Sequence, residues 1–258
     1  MGGALLEGWM AAGVFSHVTV VTPEKHTVDS FLRRYENVTQ VDSPEQLDSI
    51  ADVLILGVKP QIMPKVIGEY AEKITKDTLV ITMAAGLDLS FYEKALGGDK
   101  QIVRLMPNTP ATISKAMCGL LANANVTPSH KDLATKVTNA VGKSLWVEND
   151  ERLDRLTAIS GCGPAYVFAM VEALIKAGEA LGFCTEDATL LVRETVIGSA
   201  QYLSQTAHKS AKDLRVQVTS PGGMTAEGVA VLQKDNALDC LMEEAALAAF
   251  NRAADLKA

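Results

Sequence analysis

Short, continuously apolar runs, each closing on a small or cyclic residue, constrain this chain most. "ADVLILGVKP" contains one at residues 53–58, "TLVITMAAG" one at 79–83, and 102–105 run directly into "MPNTPA". Such runs, bounded by turn residues, read as strands covered on both faces. β-Branched stretches at 18–21 and 38–41 and a strand-like piece at 144–147 extend the series. Helical patterns stand between them, at 2–12, 28–35, 44–50, 64–74 and 91–96. Strand and helix in alternation predict a mostly parallel sheet with helices on both faces.

The second half has a different character. Beyond the acidic "ENDERLD" strand signals vanish and long Ala/Leu helices follow: one with Pro164 early and Gly182 at its end, then 186–205, 211–216 and 236–256. On the last, Leu238, Leu241, Met242, Ala245 and Ala249 form one stripe. The expected division is therefore an α/β domain at 1–149 and an all-α domain at 150–258. The first has the rhythm of a Rossmann-like, doubly wound fold.

Composition removes several functions. A net charge of −7 disfavours a nucleic-acid or anionic-membrane surface. No segment is expected to approach bilayer-spanning length, and no secretory signal is evident. Cys118, Cys162, Cys184 and Cys240 are scattered, without a CxxC pair, which fits a reduced, cytoplasmic setting. His17, His26, His130 and His208 fall in polar stretches and read as surface residues. With 48% hydrophobic but only 5% aromatic residues, the core is expected to be packed by Ala, Leu and Val.

In an open α/β sheet, ligands bind outside the carboxyl ends of the strands. Those ends read Thr22-Pro23, Gly57-Val58-Lys59-Pro60, Met83-Ala84-Ala85-Gly86 and Met106-Pro107-Asn108-Thr109-Pro110. Each alone is ordinary turn chemistry; four in succession point to a dinucleotide crevice. Gly2-Gly3 at a helix start suits a pyrophosphate, because unpaired N–H groups and the helix dipole favour anions. Thr22 stands where an acidic residue would bind the ribose diol of NAD. A hydroxyl there tolerates a 2′-phosphate, which favours NADPH, while Glu24 leaves NADH open. The strand and the G-x-G that should precede Gly2 are expected to be missing, as an internally assigned start codon would produce.

In the helical half, Pro221-Gly222-Gly223 forces a tight turn with N–H groups free for a carboxylate. Ser220 and Thr225 flank it with hydroxyls. The plain alternative is a helix connection capped by Thr225.

Together "LGVKP", "TMAAG", "RLMPNTPA", "SGCGPAYVF" and "VTSPGGMTAEGVAVL", in this order, resemble the pyrroline-5-carboxylate reductases over nearly the whole chain. The resemblance implies reduction of Δ1-pyrroline-5-carboxylate to L-proline, the last step of proline biosynthesis, with NADPH or NADH. It also implies a helical domain that binds substrate and joins two copies, with further assembly in some members. By it, Gly2, Thr22, Val58, Lys59, Pro60, Ala85, Met106, Pro107 and Asn108 would border the cofactor. Ser220, Gly222, Gly223, Met224 and Thr225 would hold the substrate, with the Thr225 hydroxyl toward the ring nitrogen as the catalytic group. Three departures stand out: Cys162 replaces a common Ser, Met224 a small residue, and Pro44 an Asn. Two other readings remain at this stage. One is a related reductase of another small imine or a β-hydroxy acid; hydroxy-acid dehydrogenases would carry a catalytic lysine in the helical domain, where Lys176, in "ALIKAGEALG", reads as a solvated position. The other is an inactive dimeric protein with a decayed nucleotide site.

Overall fold

The structure is a computed structural model that describes residues 1–256, the Lys25 side chain excepted; residues 257 and 258 of the expected second domain lie outside it. The chain forms β1 (Val18–Val21), β2 (Val38–Val41), β3 (Val53–Leu56), β4 (Leu79–Thr82), β5 (Gln101–Met106), β6 (Ala116–Ala122) and β7 (Gly142–Trp146). Helices α1 (Gly2–Ala11), α2 (Asp29–Arg34), α3 (Met63–Tyr70), α4 (Leu89–Leu96) and α5 (Pro128–Asn139) are interleaved with them. Next come α6 (Asp150–Leu156), a π turn (Thr157–Gly161), α7 (Gly163–Ala180), α8 (Thr185–Gln205), α9 (Ala211–Gln217), α10 (Met224–Gln233) and α11 (Ala237–Asp255).

The strands make two sheets. One pairs β1 with β2; the other runs β3-β4-β5-β6-β7, with every pair parallel except β5–β6. Both sheets share the same two apolar layers, because strand side chains alternate between faces. Val18 and Val20 of β1 and Val53 and Ile55 of β3 face one layer, built on Leu5, Leu6, Trp9 and Met10 of α1 and on Ala134 and Val137 of α5. Val21 and Leu54 face the other, which holds Met63, Ile67 and Tyr70 of α3 and Tyr92 and Leu96 of α4. This is the expected doubly wound arrangement. Fully burying a side chain such as Leu5, Leu79 or Leu120 contributes roughly 1.5–3 kcal/mol.

Some expectations need correction. The 44–50 helix is only a 3-10 turn at Pro44–Gln46. Strand β6 and helix α5 were not anticipated. His130 lies in α5 rather than in a loop and is half-buried, with Nδ1 2.6 Å from Gln101 Oε1.

The chain has two compact units. One comprises Met1–Pro164 and the last turns of α11 from Ala249; the other comprises Ala165–Ala248. The first unit thus continues past residue 149 and takes in α6. Helix α6 lies so close to β6 that a Cβ on Gly119 would stand 2.5 Å from Leu153 Cδ1 and 2.8 Å from Leu156 Cδ2, so any larger residue would have to push those leucine side chains aside. In the second unit the helices leave broad apolar surface uncovered, including Phe168, Met170, Leu190 and Leu241. One helical stretch, Asp150–Ala180, is long and apolar enough by length and composition to cross a membrane, with a mean hydropathy of 1.5 over its most apolar window. This corrects the expectation that no segment approaches that length. Its Glu172 and Lys176 pair at 2.7 Å on the exposed surface, and Val167, Phe168, Met170 and Leu174 belong to the same uncovered face, while Leu153 and Ala158 are buried.

Candidate active site

Because β3, β4 and β5 are parallel neighbours, their carboxyl ends leave the sheet side by side. The structure thus brings Val58, Lys59, Pro60, Ala85, Met106, Pro107 and Asn108 to one edge. Val58 is half-buried on the apolar layer beneath α3, whereas Lys59 and Ala85 are exposed. Thr22 follows β1. Its backbone extends the β1–β2 ladder through a 3.0 Å bond to Val41 O, and its hydroxyl accepts the Glu24 N–H at 3.2 Å. That hydroxyl keeps its own proton to donate.

Gly2 opens α1, and Met1 in front of it supplies no side-chain cap. The first-turn amides of a helix have no intrahelical acceptor. A Cβ on Gly2 would meet nothing within 4 Å, so a phosphate has room to approach these amides. The exposed, uncapped helix start and the small residues at the strand ends fit a dinucleotide.

The Met106-Pro107-Asn108 segment is more tightly held than its turn-like sequence suggests. Asn108 is 8% exposed; its Nδ2 donates to Ser160 O at 2.9 Å, and its Oδ1 accepts the Met117 N–H at 3.0 Å. Arg104, two residues earlier on β5 than Met106, is buried at 1% exposure and is a residue that sequence reasoning missed. Its Nη1 is bonded to Asp150 Oδ1 and lies 3.7 Å from Asp88 Oδ1. Asp150 also accepts the Leu89 N–H at 3.3 Å, so the first residue of α6 caps α4. Below these groups, Thr82 Oγ1 donates to the Tyr92 hydroxyl at 2.7 Å; burial pushes the Tyr92 hydroxyl up in pKa, partly countered by that bond.

In the second unit, the Gly223 N–H donates to Ser220 O at 3.0 Å, closing a turn over Pro221 and Gly222. Gly222 has φ +68°, as the third position of a type II turn requires, so glycine is needed there. The Gly223 N–H is therefore consumed by the turn rather than free for a ligand, as the sequence had suggested. Gly223, not Thr225, is the N-cap of α10, and no side chain caps it. The Met224 and Thr225 amides stand in the first turn without intrahelical acceptors. Among the described residues, the Ser220 and Thr225 hydroxyls make no hydrogen bond. Met224 is 94% exposed. This is a compact set of donors at the positive end of a helix, suited to a carboxylate and one further acceptor. Lys176 does not join it: its amine pKa is held up by Glu172, as expected of a solvated pair.

The architecture defines the class: a dinucleotide-type α/β oxidoreductase module joined to an all-helical module. A family model described as "Pyrroline-5-carboxylate reductase dimerisation" matches residues 150–256, and one described as "NADP oxidoreductase coenzyme F420-dependent" matches residues 1–86. Pyrroline-5-carboxylate reductase of Pseudomonas aeruginosa is 38% identical over 216 residues, covering 84% of this chain and 78% of that protein. The structure of a Coxiella burnetii pyrroline-5-carboxylate reductase superposes with a TM-score of 0.91 at 37% identity, covering 99% of this chain and 94% of that one. The Plasmodium falciparum pyrroline carboxylate reductase with NADP bound gives 0.82 at 27% identity, covering 100% and 95%. The chain belongs to the pyrroline-5-carboxylate reductase family.

Proposed function

We propose that this chain reduces Δ1-pyrroline-5-carboxylate to L-proline with NADPH. The observation that carries the reading is the turn at 220–223 running into the uncapped start of α10, which offers a carboxylate and an imine nitrogen the donors they need. A related reductase of another imine or hydroxy acid, and an inactive dimer, are not favoured by relatives of this identity and coverage.

In this reading the cofactor is held by Gly2 at the start of α1, by the Thr22 hydroxyl at the adenosine ribose or its phosphate, and by Val58, Lys59, Pro60 and Ala85. Met106, Pro107 and Asn108 lie toward the nicotinamide. The absence of an acidic side chain at position 22 favours NADPH over NADH. When bound, the reduced nicotinamide supplies the hydride.

The residues of the helical unit prepare the acceptor. The Met224 and Thr225 amides neutralise the substrate carboxylate and fix its ring, while Ser220, Gly222 and Gly223 shape the turn around it. The Thr225 hydroxyl hydrogen-bonds the ring nitrogen, drawing electron density from the C=N carbon that receives the hydride; the nitrogen takes up a proton from water as the double bond becomes CH–NH. An electrophilic imine needs no nucleophile, which accounts for a site without a triad. The exposed apolar faces of α7, α8 and α11 support a homodimer through the helical unit, with higher assembly built on it. The unpaired cysteines fit a cytoplasmic location.

Thr225→Ala tests the central role: it lowers kcat by about 10-fold, the scale of one hydrogen bond made in the transition state, and Thr225→Ser restores most of it. Unchanged steady-state kinetics in Thr225→Ala would remove the hydroxyl from the reaction.

A further inference from the structure

The role of Asn108 follows from two backbone groups that the fold leaves without partners. In a regular helix the Ser160 carbonyl would accept from the N–H four residues on, but that residue is Pro164, which has no N–H. The helix is already widened here. Cys162 N–H reaches back to Thr157 O at 3.0 Å, while the Thr157 and Ser160 hydroxyls turn to Leu153 O at 2.7 Å and Leu156 O at 3.1 Å. Asn108 Nδ2 supplies the donor that Pro164 lacks.

The second group is Met117 N–H, on β6. The β5–β6 ladder ends at Met106 opposite Gly119, so Met117 lies beyond the last residue of β5. Asn108 Oδ1 accepts its N–H at 3.0 Å and so extends the ladder with a side chain. The Asn108 main-chain carbonyl takes the Ala111 N–H at 3.1 Å, opening the 3-10 segment Thr109–Ile113. Each end of the amide thus makes a bond within the protein, and the residue is nearly buried.

We infer that Asn108 is a positioning residue for hydride transfer: it clamps Met106-Pro107 to β6 and to the π turn, and its side chain does not touch the cofactor. The inference rests on the proposed reaction for its consequence, since Met106-Pro107 is the segment placed toward the nicotinamide. The clamp itself is a property of the fold. Aspartate at this position would keep the acceptor for Met117 but set an oxygen against Ser160 O; alanine would lose both bonds.

The test uses the full chain as wild type, Asn108→Asp and Asn108→Ala. Amide hydrogen exchange is read at Met117 and Cys162, with the NADPH dissociation constant, kcat, and the isotope effect with deuterated NADPH. The expected result for Asn108→Asp is exchange at Cys162 faster by about 5- to 10-fold and kcat lower by about 10-fold, as for one lost hydrogen bond and a displaced reacting group. The isotope effect grows, and NADPH affinity stays within about 2-fold. In Asn108→Ala, Met117 exchange also rises. NADPH binding weakened by about 10-fold with exchange unchanged at both amides would make Asn108 a cofactor ligand and overturn the inference. Faster exchange with unchanged kcat and isotope effect would overturn it too, leaving a purely structural residue.

If neither variant folds, the wild type alone decides. Met117 N–H protection that holds on adding NADP⁺ supports the clamp, and protection that drops shows the side chain leaving it for the nucleotide. A wild type that binds NADPH but reduces no pyrroline-5-carboxylate defeats the proposed function, while the exchange data still decide the clamp.

Discussion

The two units solve the burial problem differently. In the first, alternating strands and helices close two apolar layers within one chain, so Leu5, Leu79, Ile102 and Leu120 lose all contact with water. In the second, spanning Ala165–Ala248, only Ala188, Val192 and Leu214 are buried among the described residues, while Phe168, Leu190, Leu191 and Leu241 face outward. Their sequences are comparably apolar; the difference is topological. A sheet covered on both sides satisfies its own faces, whereas a few long helices in one chain do not, and apolar surface left this broad marks an interface. The first unit buries its own apolar faces, and the helical unit leaves its faces to a partner.

The largest expected effect separates the units through assembly. A carboxylate at Phe168 or Leu241 (Phe168→Glu, Leu241→Glu) should convert the oligomer to single chains in sedimentation velocity, with little change in nucleotide binding by the first unit. Oligomers that persist in both variants would place the interface elsewhere.

Next in size is the ion pair that ties α6 to the nucleotide sheet. Asp150→Ala takes the nearer carboxylate from the buried Arg104, leaving it only Asp88 at 3.7 Å, and uncaps α4, a loss of about 3 kcal/mol in urea unfolding. The same kind of change at the exposed Glu172–Lys176 pair should leave the urea midpoint unchanged. Equal costs would contradict the distinction between a filled core and an open face.

A smaller, selective effect is expected at the ribose position. Thr22→Asp should shift the NADPH to NADH preference of kcat/KM toward NADH by about 10-fold or more, through repulsion of the 2′-phosphate. An unchanged ratio would move cofactor selection to another residue.

The smallest effect is a pH dependence confined to the first unit. Burial in the α3 layer pushes the Tyr70 hydroxyl from 10 up to about 12. A raised acid pKa gives stability that is full below the unfolded value and lost as pH climbs through the folded one. The wild type should therefore lose stability between pH 10 and about 12, and Tyr70→Phe should lose less over the same window in urea titrations. Parallel slopes would remove Tyr70 from the account.

The buried parallel strands were the most legible part of the fold. A continuous apolar run closed by Gly or Pro within a few residues is too short for a helix and too apolar for a surface loop. Strand β6 was missed because "AMCGLLA" is built from small and unbranched residues, which read as strand only once neighbours bury them. Helix α5 had readable signals, with Thr127 accepting the His130 N–H as N-cap and Pro128 at the first position, but its polar composition hid the stripe of Ala134, Val137 and Thr138. At the site, the strand-end loops and the turn at 220–223 were legible as chemistry. The hydrogen bonds that decide their roles were not. That Asn108 bonds both Ser160 and Met117 and that Arg104 meets Asp150 are long-range facts of packing that no local pattern encodes, whereas the bond from Gly223 N–H to Ser220 is local and follows from the Pro-Gly turn.

The measurement that tests the account most directly is the loss of reduced-nicotinamide absorbance when the purified chain receives NADPH and Δ1-pyrroline-5-carboxylate, beside pyrroline lacking the carboxylate. Proline is the expected product, with turnover of the unsubstituted ring lower by about 100-fold or more if the α10 amides hold the substrate carboxylate. Equal turnover of both rings, or no turnover by a folded chain that binds NADPH, would contradict it.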